Sequence, residues 1–110
     1  MEPPWFELSE GRDADGVLRL SLVGELDIAV IDALTTELSR HRRDGRRVRL
    51  DLSGLEFIDC GAIERLTSAI TEARPAGWRL EVDRRIGRTV SRMLSLSGAH
   101  ARLWPSPQTG

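Results

Sequence analysis

The residues of this sequence most capable of taking part in chemistry lie at positions 59 to 61, which read Asp59-Cys60-Gly61. Apolar residues recur at helical spacing just after them, so this segment predicts the start of a helix. A thiol near a helix N-terminus is acidified, and the thiolate is the reactive form of cysteine. Asp59 opposes this effect, because a neighbouring carboxylate disfavours the thiolate. Two interpretations of Cys60 stay open: a redox-sensing thiol and, preferred, an inert small residue of the kind often buried.

Catalysis by Cys60 would need an activating base such as histidine. The chain has two histidines. His41 lies in a basic run and His100 in an expected C-terminal loop, so neither is well placed to activate a thiol. The sequence therefore predicts no enzyme activity and no catalytic residue. One cysteine and two scattered histidines also give no clustered metal-ligand spacing, so we expect neither a metal nor a cofactor.

Charge and hydropathy narrow the class of partner. The 16 basic and 17 acidic residues give a net charge of −1, which provides no global attraction to nucleic acid or anionic membranes. The basic run over 40–47 allows a nucleic-acid or lipid patch, but we interpret it as a solvated helix end with Gly45 in the turn.

Targeting signals and cysteine usage predict the compartment. No apolar stretch approaches the roughly 20 residues of a membrane span, and the N-terminus lacks a signal-peptide pattern. The single cysteine fits a reducing compartment. We expect a cytoplasmic protein with neither direct nucleic-acid binding nor membrane insertion.

Strand and helix patterns alternate along the chain. Asp15-Gly16 predicts a turn that joins the first two strands in a hairpin. Ser53-Gly54 is expected to end the third strand, and a last short edge strand is expected over 101–104. Asp27 and Asp59 are expected to be helix N-caps. The expected strands cover 5–8, 17–23, 48–52 and 78–82, and apolar helical stripes cover 31–38, 63–73 and 86–94.

Strands separated by helices imply crossover connections and a largely parallel sheet. These strands alternate apolar and polar residues instead of running continuously apolar, so helices should cover mainly one face. The sequence therefore predicts one α/β domain over 5–105. Its sheet is mixed, mostly parallel and of four to five strands, with helices mainly on one face. Residues 106–110 are expected to form a disordered tail. The polar sheet face leaves room for a homodimer but does not predict one.

Three stretches resemble the STAS family, which includes sulfate-transporter domains and anti-sigma factor antagonists. Residues 20–27 are similar to a family strand that ends in Gly-Glu-Leu-Asp. Residues 48–61 read V-R-L-D-L-S-G-L-E-F-I-D-C-G and are similar to the central signature D-L-S-x-L-x-F-I-D-S-S-G-L. Residues 87–105 are similar to the C-terminal helix. The resemblance implies a STAS-like fold for the whole domain.

The resemblance also implies a function. In the sigma-control branch such a domain binds an anti-sigma factor, a serine kinase of GHKL type, and so releases a sigma factor. The kinase can phosphorylate a serine at the start of the helix after the central strand, which abolishes binding. For Asp27, helix capping and partner contact both stay open. By resemblance, the expected partner-binding residues are Glu25, Asp27, Asp59, Cys60, Gly61, Ala62 and Glu64.

The sequence departs from the family at this switch. Aligned without a gap, Gly61 takes the place of the phosphoacceptor serine and Ala62 that of the following glycine. A one-residue gap would align Gly61 with that glycine, but it spoils the helix pattern of Ile63 and Leu66. Either way the acceptor hydroxyl is missing, so phosphorylation at position 61 is not expected. Gly61 itself has two interpretations, a loss of regulation and a tight turn or close backbone contact.

Two alternatives to the anti-sigma factor antagonist remain. Within the same family, the domain could be an accessory subunit that docks on an ABC-type transporter ATPase and supports lipid or solute traffic. The least favoured alternative is a thiol-based redox sensor or an enzyme that uses Cys60.

Overall fold

A computed structural model describes residues 5–104. Its strands are β1 Phe6–Arg12, β2 Leu18–Leu26, β3 Val48–Ile58 and β4 Leu80–Val82. Its helices are α1 Ile31–Arg43, α2 Cys60–Ala73, α3 Arg88–Leu96 and α4 His100–Leu103. The expected disordered tail and the last residue of the expected domain, position 105, lie outside the described residues.

The four strands form one sheet in the order β1-β2-β3-β4. The hairpin of β1 and β2 is antiparallel, and the β2–β3 and β3–β4 pairs are parallel. The turn of the hairpin contains Gly16 at a positive φ of 84°, a conformation that glycine adopts without strain. The predicted mixed, mostly parallel sheet is confirmed, with four strands.

One face of the sheet packs against the helices and forms the core. Along β2 every second residue from Leu18 to Leu26 is buried. These side chains join a cluster that includes Leu34 of α1, Leu66 of α2 and Leu94 of α3. Each fully buried leucine is worth about 1.5–3 kcal/mol over an exposed one, so the alternation fixes which face the helices cover.

The opposite face carries a network of ion pairs centred on Arg19 of β2 and Arg49 of β3. Arg19 contacts three carboxylates at 2.7 to 3.1 Å. Arg49 also contacts three carboxylates, of which that of Asp13 is shared with Arg19. Both arginine side chains are only about one-fifth exposed, at 19% and 21%. The carboxylates belong to Asp13, Asp15, Asp51, Glu81 and Asp83. The expected polar face is therefore present and internally paired.

The third strand does not end at Ser53-Gly54, so that expectation was wrong. β3 continues to Ile58, and its pairing with β2 shifts register between the Ser21 and Val23 pairs. A Cβ at Gly54 would lie 2.8 Å from the Val23 side chain, so glycine permits the close approach at this bulge. The glycine thus marks an irregularity inside the strand, as strand glycines often do.

The expected edge strand over 101–104 is also wrong, because His100–Leu103 form a short helix. Gly98 ends α3 at a φ of 76°, and the chain turns back onto the core. Trp104 is buried there, and its Nε1 donates to the carbonyl oxygen of Val82 at 2.8 Å. Two apolar residues at the end of a short segment fit either structure, so the pattern could not decide.

Both ends of α1 refine the sequence expectations. The N-cap of α1 is Val30, which makes no side-chain cap, so the expected N-cap at Asp27 was wrong. Asp27 instead accepts hydrogen bonds from the backbone N–H groups of Ala29 and Val30 in the turn before the helix. At the other end Gly45 has a φ of 69°, as a helix-terminating glycine does. The interpretation of the basic run as a solvated helix end fails at one residue, because His41 is fully buried.

None of the helices within residues 5–104 is long and apolar enough to span a membrane.

Candidate partner-binding site

Asp59 organises the start of α2. Its carboxylate accepts a hydrogen bond from the backbone N–H of Ala62 at 2.8 Å, which confirms the predicted N-cap. The second carboxylate oxygen accepts from the backbone N–H of Ile28 at 3.1 Å. The Asp59 N–H donates to the carbonyl oxygen of Leu26. Asp59 therefore joins the end of β2 to the start of α2 and holds the whole edge in place.

The predicted acidic residues meet at this edge because β2 and β3 are parallel and end side by side. Glu25 is paired with Phe57 of β3, and Leu26 with Ile58. Asp27 follows directly, and Asp59 bonds to the loop after it. Glu25, Asp27 and Asp59 are partly exposed. The structure thus brings together the two segments that the resemblance connected.

The remaining predicted residues divide by exposure. Cys60 and Glu64 are exposed, whereas Ala62 is fully buried. The Ala62 side chain faces the core, so a partner could reach this position only through its backbone. Exposure of Cys60 also removes one reason for calling it inert, since it is not a buried packing residue.

Gly61 leaves room for the side chain of Ile28. A Cβ at position 61 would lie 2.9 Å from Ile28 Cδ1 and 3.4 Å from its Cβ. Ile28 is 52% exposed, so its side chain packs across the helix start from the solvent side. A close contact, and not a positive φ, explains the glycine. An aliphatic group occupies the space next to the position where the family has its acceptor serine.

An apolar surface surrounds Glu25 that was not predicted from the sequence. The exposed fractions of Trp5, Ile28 and Phe57 are 46%, 52% and 37%. Trp5 lies beside Glu25, whose N–H donates to the Trp5 carbonyl oxygen, and Phe57 is its pairing partner on the other side. One signal was available: Phe57 and Ile58 are adjacent in a strand, so both cannot face the core.

This edge is acidic as well as apolar. Within the part of the chain that the structure describes, no salt bridge involves Glu25, Asp27, Asp59 or Glu64. Asp32, in the first turn of α1, instead pairs with Arg65 of α2 at 2.6 Å. An apolar centre with an unneutralised acidic rim suits a protein partner, since interfaces combine an apolar core with a polar rim. We call this surface the acidic edge; it consists of Glu25, Asp27, Asp59 and Glu64 together with Trp5, Ile28 and Phe57.

Comparison with known proteins places the chain in a family. A family model described as "Mlab, STAS domain" matches residues 10–105. The chain therefore belongs to the STAS family. No curated protein matches it significantly.

Three solved structures share the fold. An anti-sigma factor antagonist from Mycobacterium paratuberculosis is 25% identical, with a TM-score of 0.72 over 96% of this chain and 87% of that one. An antisigma-factor antagonist STAS domain from Rhodobacter sphaeroides is 18% identical, with a TM-score of 0.51 over 74% and 96% of the two chains. An uncharacterized DUF3478-family protein with a SpoIIAA-like fold, from Shewanella loihica, is 12% identical, with a TM-score of 0.56 over 89% and 80%. The latter two support the fold alone.

Proposed function

We propose that this protein is a non-catalytic protein-binding module that acts as an anti-sigma factor antagonist in partner-switching control of transcription. The likeness to the Mycobacterium paratuberculosis antagonist, which extends over 96% of this chain, carries the proposal. The expected partner is an anti-sigma factor that is a serine kinase of GHKL type. Because such a kinase uses ATP, the protein would act in the cytoplasm.

The acidic edge supports a protein partner of defined chemistry. Trp5 and Phe57 flank Glu25 and offer apolar area, and aromatic residues are enriched at interface centres. The unpaired carboxylates around them favour a partner with basic groups at matching positions, because complementary charge steers encounter and suppresses wrong partners. Contact would involve Glu25, Asp27, Cys60, Gly61 and Glu64, with Asp59 mainly holding the edge in shape.

Regulation would differ from that of relatives with an acceptor serine. Gly61 offers no hydroxyl, and Ile28 fills the adjoining space. A phosphoryl group at a helix N-terminus would otherwise add charge in the middle of the interface. We propose that the kinase cannot switch this protein off at position 61, so binding persists in the presence of ATP.

A second candidate function is an accessory subunit of an ABC-type transporter ATPase. The family model that matches residues 10–105 is described as "Mlab, STAS domain" and does not name an anti-sigma factor antagonist, so the family match alone is compatible with either function. The same acidic edge would then dock on a different ATPase. A homodimer through the polar sheet face is a weaker expectation, since Arg19 and Arg49 are already paired within one chain.

Cys60 raises a third, lesser role as a redox sensor. Its thiol is exposed at the helix start, beside the carboxylate of Asp59. If oxidation controls binding, peroxide will weaken the complex of the natural protein and leave that of Cys60→Ser unchanged. Equal peroxide responses of the two proteins would remove the redox role.

One binding experiment separates the candidates. Purified chain is titrated with GHKL-type anti-sigma kinases and with ABC ATPases, each with and without ATP, in parallel with phosphate incorporation. We expect tight binding to a kinase, unchanged by ATP, and no phosphate on the chain. Binding to an ABC ATPase alone would replace the first proposal with the second. Phosphate found within residues 59–64 would contradict the proposed lack of switching.

A further inference from the structure

His41 is a buried histidine that the proposed function does not use. It lies on α1 with none of its side chain exposed, and its Nε2 has no hydrogen-bond partner among the described residues. This nitrogen is 3.3 Å from a carboxylate oxygen of Glu10 on β1 and 3.7 Å from one of Glu37, a helical turn earlier on α1. Buried polar atoms without a hydrogen bond are rare and need an explanation.

The three side chains converge as metal ligands do. One ligand atom from each of Glu10, Glu37 and His41 lies within 4.8 Å of the other two. Zinc binds nitrogen and oxygen at about 2.0–2.2 Å, so neighbouring ligands of a tetrahedral site are about 3.3–3.6 Å apart. The separations of 3.3 and 3.7 Å from His41 Nε2 to the two carboxylates are close to that spacing.

We propose that Glu10, Glu37 and His41 form a binding site for a divalent transition-metal ion, with zinc the best match. One imidazole and two carboxylates suit zinc better than magnesium or calcium, which prefer oxygen ligands only. The Glu10 side chain is 45% exposed, so the site is open to solvent on that side. Water would complete the coordination, as in other sites with three protein ligands.

Two arginines contact the same groups and would compete with the ion. Arg40 Nη2 is 2.7 Å from the Glu37 carboxylate and 3.4 Å from that of Glu10, which holds the carboxylates together without metal. Arg46 Nη1 lies 3.4 Å from His41 Nδ1. An ion bound through Nε2 leaves a neutral imidazole with its proton on Nδ1, which cannot accept from Arg46, so Arg46 would have to move away. Both arginines are about half exposed, at 53% and 48%, so both can rotate away.

The site would fasten the edge strand β1 to the C-terminal half of α1. Because the unfolded chain does not bring these three side chains together, the ion stabilises the folded state. His41 is ten residues from the start of α1 at Ile31, about 15 Å along the helix and away from the acidic edge. Metal binding and partner binding can therefore succeed or fail separately.

The site is tested by titrating the full chain with zinc chloride. Calorimetry measures the stoichiometry and affinity, and thermal unfolding measures the change in Tm. We expect one ion per chain and a higher Tm. Glu10→Gln and Glu37→Gln keep the side-chain shape at partly exposed positions and should each weaken binding at least tenfold, since even outer-shell changes cost about 10–100-fold. Glu7→Gln, an exposed change on the same strand, is the matched control and should bind as the natural chain does. Cys60→Ser should also retain binding.

Nitrogen-15 NMR of the imidazoles identifies the ligand directly, because the chain has only His41 and His100. Zinc should shift His41 Nε2 and leave His100 unchanged. Arg40→Gln removes a competing ion pair with the two carboxylates. It should therefore tighten zinc binding about two- to fivefold, the change in affinity that the loss of a partly exposed ion pair produces. The proposal is overturned if millimolar zinc gives no saturable binding, if both glutamine variants bind normally, or if only His100 shifts.

Discussion

The absence of a side chain at position 61 affects two properties: the packing of Ile28 against the start of α2 and the expected control of partner binding by phosphorylation. The glycine backbone lies against Ile28, whose Cδ1 would be 2.9 Å from any Cβ placed there. Ile28 is half exposed, so its terminal atoms can rotate to admit a small side chain. The contact therefore explains the glycine without forbidding other residues. Because neither residue carries a hydroxyl, position 61 lacks the acceptor serine that the family resemblance implies.

Charge at position 61 is predicted to oppose partner binding. Gly61→Asp places a carboxylate in the acidic edge, where a badly placed interface charge costs several kcal/mol. Gly61→Asn is its matched control, because the amide has the same shape and displaces Ile28 equally. We expect the Asp variant to bind the partner at least tenfold more weakly than the Asn variant in calorimetry. Equal affinities of the two variants would place the interface elsewhere.

Two glycines mark local irregularities that shape how the chain packs. The bulge at Gly54 lets β3 continue to Ile58, which brings Phe57 beside Glu25 at the sheet edge. The turn at Gly98 sends the chain back as α4, so Trp104 covers the end of β4. In the sequence each glycine interrupts an apolar pattern, whereas in the structure the chain beyond each glycine continues to pack against the sheet.

The Trp104 hydrogen bond is predicted to stabilise this C-terminal packing. Trp104→Phe removes the Nε1 donor and leaves the Val82 carbonyl without its partner in a buried setting, a loss of about 1–3 kcal/mol beyond the change in ring size. Trp78→Phe is the control, because its Nε1 donates to the Arg46 carbonyl oxygen at an exposed position where water can replace it. Urea unfolding should show a clearly larger loss for Trp104→Phe. Equal losses would mean that the buried hydrogen bond contributes nothing of its own.

For the whole molecule, the polar face acts as one electrostatic unit. The hydrogen bonds from Arg19 and Arg49 hold the pKa of Asp13 below its ordinary value. A hydrogen bond from the Arg85 backbone N–H lowers the pKa of Asp83, with Arg19 adding to it against the effect of burial. These partners connect the β1–β2 hairpin to the loop after β4, so their charges bear on the stability of the entire sheet.

Stability is predicted to fall in acid because of this unit. A carboxylate with a lowered pKa in the folded state contributes stability above its unfolded pKa, near 3.8, and loses it as the pH falls through the lower folded value. The free energy of unfolding, measured in urea between pH 2 and 7, should therefore drop most steeply below about pH 4. Arg19→Gln removes contacts to three aspartates and should flatten that drop. Parallel curves for the two proteins would show that Arg19 is not responsible.

Much of this protein follows from its sequence alone. The alternation in β2 and the helical stripe through Leu66 determine the α/β class and the buried sheet face, because burial of apolar side chains dominates the free energy. Asp59 was predictable as a helix cap from its residue type and position, since the preference is local. The family resemblance supplied the region of the partner site, including the departure at Gly61.

Other features were decided only by the tertiary structure. The segment ending in Trp104 forms a helix whose end is held to another element by the hydrogen bond from Trp104 to the Val82 carbonyl oxygen, a contact that no local pattern reveals. The apolar part of the acidic edge needs the β2–β3 register, which places Phe57 against Glu25. His41 looked like part of a solvated basic run, yet the packing of α1 against the sheet buries it next to Glu10 of β1. Local patterns record which residues prefer burial, whereas contacts between distant residues depend on how the elements pack.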